Sequence, residues 1–260
     1  MSKSSLLFLA LACSGGALAA PVAKSVSYKI GDTEYQSTLV YDDATKTPRP
    51  GIVMVPNWYG ANQASIDKAK TIAGKDYVIL LADVYGKDVR PKNDDEALSA
   101  VKAAYGDRSG LRSKANWALQ ALKEQSKDAP IDLKRVGAIG FCFGGAVALD
   151  LARSGADVAG VVTFHANLAT DDPTLAKNIK GSVLVLNGAE DKSTANQVAG
   201  FEKEMKDANV DYQFVDLSGA VHCFAEPDQN NPPGCVYNEK AAKRAYRMMH
   251  AHFDEVFANK

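Results

Sequence analysis

The sequence predicts an α/β protein, with a mostly parallel central sheet and helices on both faces. Three observations predict it. Short apolar runs recur along the chain. Amphipathic stretches with apolar spacings of three or four lie between them. Most of the runs are continuously apolar, as strands covered on both faces are.

The elements follow in order. Val26–Ile30 and Thr38–Tyr41 read as opening strands around a Gly31-Asp32 turn. Gly51–Val55 is a continuous apolar run, and Tyr77–Ala82, Val136–Ile139, Val158–Phe164 and Ser182–Leu186 repeat its character. Val210–Val215 alternates more and is placed near an edge. Between the strands, Ile66, Ala69 and Ala73 form one helical stripe. Leu111, Ala115, Ala118, Leu119 and Leu122 form a second, and Ala195, Val198, Phe201, Met205 and Ala208 a third. Ala242, Ala245, Met249, Phe253 and Val256 form the last.

Composition sets the outer bounds. The 260 residues are 46% hydrophobic and 23% charged, which excludes a disordered chain and a small disulfide scaffold. Lys plus Arg is 30 against 31 Asp plus Glu, with no long run of one sign, so neither a nucleic acid nor an acidic membrane is an expected partner. The first residues predict an export signal over 1–19: Lys3, an apolar run from Leu6 to Ala12, then Ala17-Leu18-Ala19. A buried first helix and a lipid-modified Cys13 are the alternatives. Cleavage after Ala19 leaves one domain, residues 20–260, in the periplasm or outside the cell, with no membrane segment.

The mature chain then holds Cys142, Cys223 and Cys235. An odd number in an oxidising compartment means one pair and one free thiol. Cys223 and Cys235 bracket a loop without periodicity, Glu226 to Gly234, so a Cys223–Cys235 disulfide is expected and Cys142 stays free. Two separate thiols are the alternative.

Chemistry in such a sheet sits beyond the carboxyl ends of the strands. After Val136–Ile139 comes Gly140-Phe141-Cys142-Phe143-Gly144-Gly145, then a helical run from Ala146 to Ala152. This is a nucleophile elbow, G-x-C-x-G, with Cys in place of Ser. Side chains two positions either side of Cys142 would strike the adjoining strand and helix, hence the glycines. The helix N-terminus beneath the sulfur favours a thiolate. The bland reading is a Gly-rich turn with a buried structural Cys. A dinucleotide fingerprint does not fit, because Gly137, Gly140 and Gly144 are spaced three and four apart.

Two further segments follow strands. Asn187-Gly188-Ala189-Glu190-Asp191 follows Ser182–Leu186, and Gly219-Ala220-Val221-His222 follows Val210–Val215. The order nucleophile, acid, histidine is that of the α/β-hydrolase fold. His222 would take the proton from Cys142, and Asp191 would hold the imidazole. Asp191 could instead only cap a helix, and Glu190 is the rival acid. His165 follows the strand ending at Phe164 and is assigned to the pocket wall; His250 and His252 are surface or packing residues. The oxyanion hole would use the backbone N–H groups of Phe143 and of the loop Pro56 to Gly60. Trp58, Tyr59, Tyr85 and Phe143 would give aromatic walls.

These residues resemble the dienelactone hydrolase (carboxymethylenebutenolidase) family over nearly the whole mature chain. The resemblance is carried by Asn57-Trp58-Tyr59-Gly60, Ala82-Asp83-Val84-Tyr85-Gly86, the Cys142 elbow, Asn187 to Asp191 and His222-Cys223-Phe224. It implies a Cys142–His222–Asp191 triad, Trp58 as the second oxyanion donor, no cofactor and no metal, and hydrolysis of a lactone or activated ester. Three departures stand out. The family's best-known members have Glu at the position of Asn57, where it bonds the resting thiol. They have Arg at the position of Glu226, where a substrate carboxylate would here meet the wrong charge. They are cytoplasmic.

The reading is therefore a hydrolase that cleaves a small-molecule lactone or enol-type ester through an acyl-cysteine. The alternative is a ligand-binding or thiol-sensing protein on the same fold. The oligomeric state is open, with a monomer favoured.

Overall fold

The computed structural model describes residues 21–258 and 260. The predicted export signal, residues 1–19, lies outside the described residues. The chain opens with β1 (Val22–Ile30) and β2 (Thr33–Tyr41), paired antiparallel around Gly31, whose φ of 58° suits glycine. Both strands run longer than their apolar cores suggested. Their extra residues, such as Lys24 and Glu34, belong to a hairpin with a polar outer side.

Six strands follow: β3 (Arg49–Val55), β4 (Val78–Leu81), β5 (Ile131–Phe141), β6 (Gly160–Phe164), β7 (Ser182–Gly188) and β8 (Tyr212–Leu217). The sheet order is β1-β2-β4-β3-β5-β6-β7-β8. The β2–β4 pair is antiparallel and every pair from β4 to β8 is parallel. β8 is the edge strand its alternating pattern predicted. β5 starts five residues before the expected Val136, because Ile131 and Asp132 pair with Arg49 and Pro50 ahead of a bulge.

The two-residue period of a strand builds two cores at once. Val53, Val55, Leu80 and Ala138 face α3 (Arg108–Glu124) and α4 (Phe143–Arg153). Ile52, Met54, Ile79 and Ile139 face α1 (Gln63–Ala73) and α6 (Glu239–Ala258). Helices thus cover both faces. His252 is buried within α6 as a packing residue, and His250 stacks on Tyr77.

Two helices differ from expectation. α2 (Asp94–Gly106) carries too thin an apolar stripe, mostly Ala97 and Ala104, to stand out by periodicity. Its start is nonetheless encoded: Asn93 caps the Glu96 N–H and three acids fill the first turn. α5 (Val198–Asp207) begins three residues after Ala195, which is exposed in a run of turns. Asp191 causes the delay, because its carboxylate binds the Ser193 N–H and hydroxyl.

Candidate active site

Cys142 sits between β5 and α4 with φ 53° and ψ −119°, in the left-handed region. Its N–H is held by the Phe164 carbonyl at 3.0 Å, and its carbonyl accepts from Gly145 at 3.0 Å. The flanking glycines are obligatory. A Cβ on Gly140 would lie 2.1 Å from the Gly144 carbonyl oxygen, and one on Gly144 would lie 2.2 Å from that of Val55. The elbow therefore presses α4 against β3 and aims the sulfur beyond the sheet.

The acid and histidine arrive on loops that are bound to each other. The Ala189 and Glu190 N–H groups donate to the Leu217 and Ala220 carbonyls at 3.1 and 3.0 Å. Gly188 permits this approach; a Cβ there would lie 2.6 Å from the Ala220 oxygen. On its far side the histidine loop is fixed by a Cys223–Cys235 disulfide and by the Val236 N–H, which donates to the His222 carbonyl at 3.1 Å. Closing a loop of this size stabilises by about 3 kcal/mol. Cys142 is the free thiol.

These supports leave a continuous polar line. His222 Nε2 lies 3.0 Å from Cys142 Sγ, and His222 Nδ1 lies 2.7 Å from Asp191 Oδ2. Glu190 is exposed, whereas Asp191 is buried. Burial alone would push the His222 imidazolium down in pKa. The bonds to Asp191 and Cys142 outweigh it, and the pKa rises to about 10. Burial pushes Asp191 up, but the bonds to His222 and Ser193 win and hold it below its usual value.

Two cavities flank this line. The smaller, about 210 Å³, is lined by Trp58, Phe143, Tyr105 and Val101, with Asn167, Ser193, Thr194 and Gln197 on its polar side. The larger, about 490 Å³, is lined by Trp58, the disulfide, Asp94 and the Gln229-Asn230-Asn231 turn. Cys142 and His222 line both. Phe143 is the first residue of α4, where N–H groups lack helical partners. In the β3 loop the Tyr59 and Gly60 N–H groups are taken by Asn57, at 3.1 and 2.9 Å.

Several expected wall residues lie elsewhere. His165 is fully buried and lines neither cavity; its ring packs edge-on against His222 at 5.1 Å. Desolvation, reinforced by His222 and Lys68, pushes its pKa well below 6.5, so it is a neutral backing for the His222 ring. Tyr85 also stands behind the wall. It stacks on Phe143 at 5.4 Å and donates its hydroxyl to the Trp58 carbonyl at 3.0 Å. Glu226 is 1% exposed and binds Lys68, so its charge is spent inside the protein rather than offered to a substrate. Asn57 acts on its own loop, and Tyr59 donates its hydroxyl to Asp94. The sequence reading missed Lys68 and the α2 contribution, Val101 and Tyr105. Only the Asn93 cap signal could have revealed that helix.

Among the described residues no cluster of His, Cys, Asp and Glu is placed to hold a metal ion, and no helix is long and apolar enough to cross a membrane.

A nucleophile elbow on β5, with acid and histidine after β7 and β8 of a mostly parallel sheet, defines the α/β-hydrolase class. Comparison with known proteins narrows it. Residues 37–257 match the Dienelactone hydrolase family, and the chain belongs to that family of carboxylic ester hydrolases. The structure of m3DLH is 35% identical with a TM-score of 0.83, covering 92% of this chain and 100% of that one. The dienelactone hydrolase-like promiscuous phosphotriesterase P91, from metagenomic libraries, is 34% identical with a TM-score of 0.84, covering 92% and 99%. The uncharacterized protein K02A2.1 of Caenorhabditis elegans is 32% identical over 158 residues, which are 58% of this chain and 98% of that protein.

Proposed function

We propose that the protein hydrolyses a lactone or enol-type ester through Cys142, with His222 as acid and base and Asp191 as its orienting partner. One observation carries this reading: the unbroken line from Cys142 Sγ through His222 to Asp191, at 3.0 and 2.7 Å, beside two cavities. The Cys142 sulfur attacks the ester carbonyl carbon as His222 takes its proton. The Trp58 and Phe143 N–H groups receive the oxyanion. As the tetrahedral adduct collapses, the C–O bond breaks and His222 Nε2 gives its proton to the leaving oxygen. Water then attacks the acyl-cysteine, His222 takes its proton, and the C–S bond breaks to free the acid.

A thiolate is itself a good leaving group, so productive collapse needs a substrate leaving group at least as good. Lactones and enol esters meet that need; plain amides do not. P91 is described as a phosphotriesterase, and the neutral side chains around the smaller cavity would suit a neutral phosphotriester as a second substrate class.

The reading is tested with a nitrophenyl ester and an enol lactone on wild type and Cys142→Ala. The expected result is a nitrophenol burst in wild type that Cys142→Ala loses. Turnover by neither, with Cys142 still quick to alkylate at neutral pH, would favour a thiol sensor instead.

We also propose export with cleavage after Ala19. The Cys223–Cys235 disulfide supports an oxidising compartment. Mass spectrometry of the protein from its native host should find Ala20 as the first residue.

A further inference from the structure

We propose that the site selects substrates without negative charge, neutral or cationic esters, and that Asp94 in the wall of the larger cavity is the residue that repels anions. This rests on the hydrolase reading above and names its substrate class.

The charge around the nucleophile is unbalanced. His222 is the one basic side chain in the lining of either cavity, and its positive charge is matched by Asp191 and by Cys142 once the proton moves. The cations set behind the site are already paired. Arg108 lies over the Tyr105 ring at 5.3 Å and binds Asp150 at 2.7 Å. Lys68 binds Glu226 and lies over the Phe141 ring at 4.3 Å. Neither lines a cavity, so a substrate carboxylate finds no cation to replace its lost water.

Asp94 adds a fixed negative charge to the wall of the larger cavity. It opens α2, lines the larger cavity and accepts the Tyr59 hydroxyl, which keeps its carboxylate turned toward the Trp58 side. Asp228 reinforces it: the bond to Asp94, then burial, then the charges of Asp94 and Asp228 push the Tyr59 phenol up to about 12. The Gln229-Asn230-Asn231 turn that completes the wall is neutral.

The test compares 4-nitrophenyl acetate with 3-carboxy-4-nitrophenyl acetate, each normalised to its hydroxide rate, in wild type and Asp94→Asn. Asn keeps an acceptor for Tyr59 and removes the charge. Wild type should favour the neutral ester in kcat/KM. Asp94→Asn should raise kcat/KM for the carboxylate ester about fivefold, the factor that two unit charges about 4 Å apart exert through water. The neutral ester should change by less than the carboxylate ester, and added salt should narrow the gap in wild type. Equal normalised kcat/KM for the two esters in wild type would overturn the proposal and leave the hydrolase reading standing. So would an Asp94→Asn effect of equal size on both. Absence of a burst with the neutral ester would instead remove the hydrolase reading, and this proposal with it.

Discussion

The two ends of α4 each carry a cluster of buried charge, and only one of them brings a cysteine and a histidine to a cavity. At the N-terminal end, Cys142 caps the helix and joins His222 and Asp191. At the C-terminal end, Arg153 is fully buried. Its guanidinium holds both oxygens of Glu204 at 2.8 Å, Asp150 at 3.2 Å and the Leu168 carbonyl at 3.1 Å. Eleven residues of helix, about 16 Å, separate the two. Both obey the helix dipole, with negative charge favoured at the start and positive charge at the end. Arg153 is saturated with partners and shut from solvent, and the cavity that Glu204 borders is lined by no cysteine or histidine. The His222 side chain is 20% exposed and its partner sulfur opens on two cavities. A buried charge becomes chemistry only where a proton can move and a substrate can enter.

The contrast yields ordered predictions. His222→Ala should lower kcat by about 10⁶, as loss of a base that acts as a unit with its nucleophile does. Asp191→Asn should lower kcat by about 10⁴, because the imidazole loses its tautomer lock. At the other end, Arg153→Met should leave Glu204 buried without its cation, while Asp150 keeps Arg108, and cost about 3–5 kcal/mol, read from denaturant melts. Activity per folded molecule should survive, and loss of kcat in a folded Arg153→Met would break the distinction. Reducing Cys223–Cys235 should cost about 3 kcal/mol. It should also weaken turnover, because that bond anchors the His222 loop.

A smaller effect at the N-terminal end depends on pH. His222 is raised from 6.5 to about 10 on folding, so its contribution to stability is fully present below pH 6.5 and fades as pH climbs through about 10. Melts of wild type and His222→Gln should therefore converge over that span.

The sequence announced much of this because the elbow, acid and histidine are each local signals after a strand. Gly140 and Gly144 are visible as letters, and the order of the three residues needs no distances. The central strands were equally legible, since burial on both faces makes them uniformly apolar. What escaped depends on long-range pairing. Glu226 read as a pocket charge until Lys68, 158 residues away, took it. His165 stands after a strand like a site residue, yet its left-handed φ of 41° goes with a ring fully buried against Phe224 and His222. α2 was silent because alanines bury too little to mark a face.

The most direct test is to quench the reaction of an activated ester within the burst and weigh the intact protein. A mass gain equal to the acyl group, mapped to the peptide holding Cys142 and absent in Cys142→Ala, is the predicted result. Undiminished ester turnover by Cys142→Ala, with no adduct in wild type, would contradict the account.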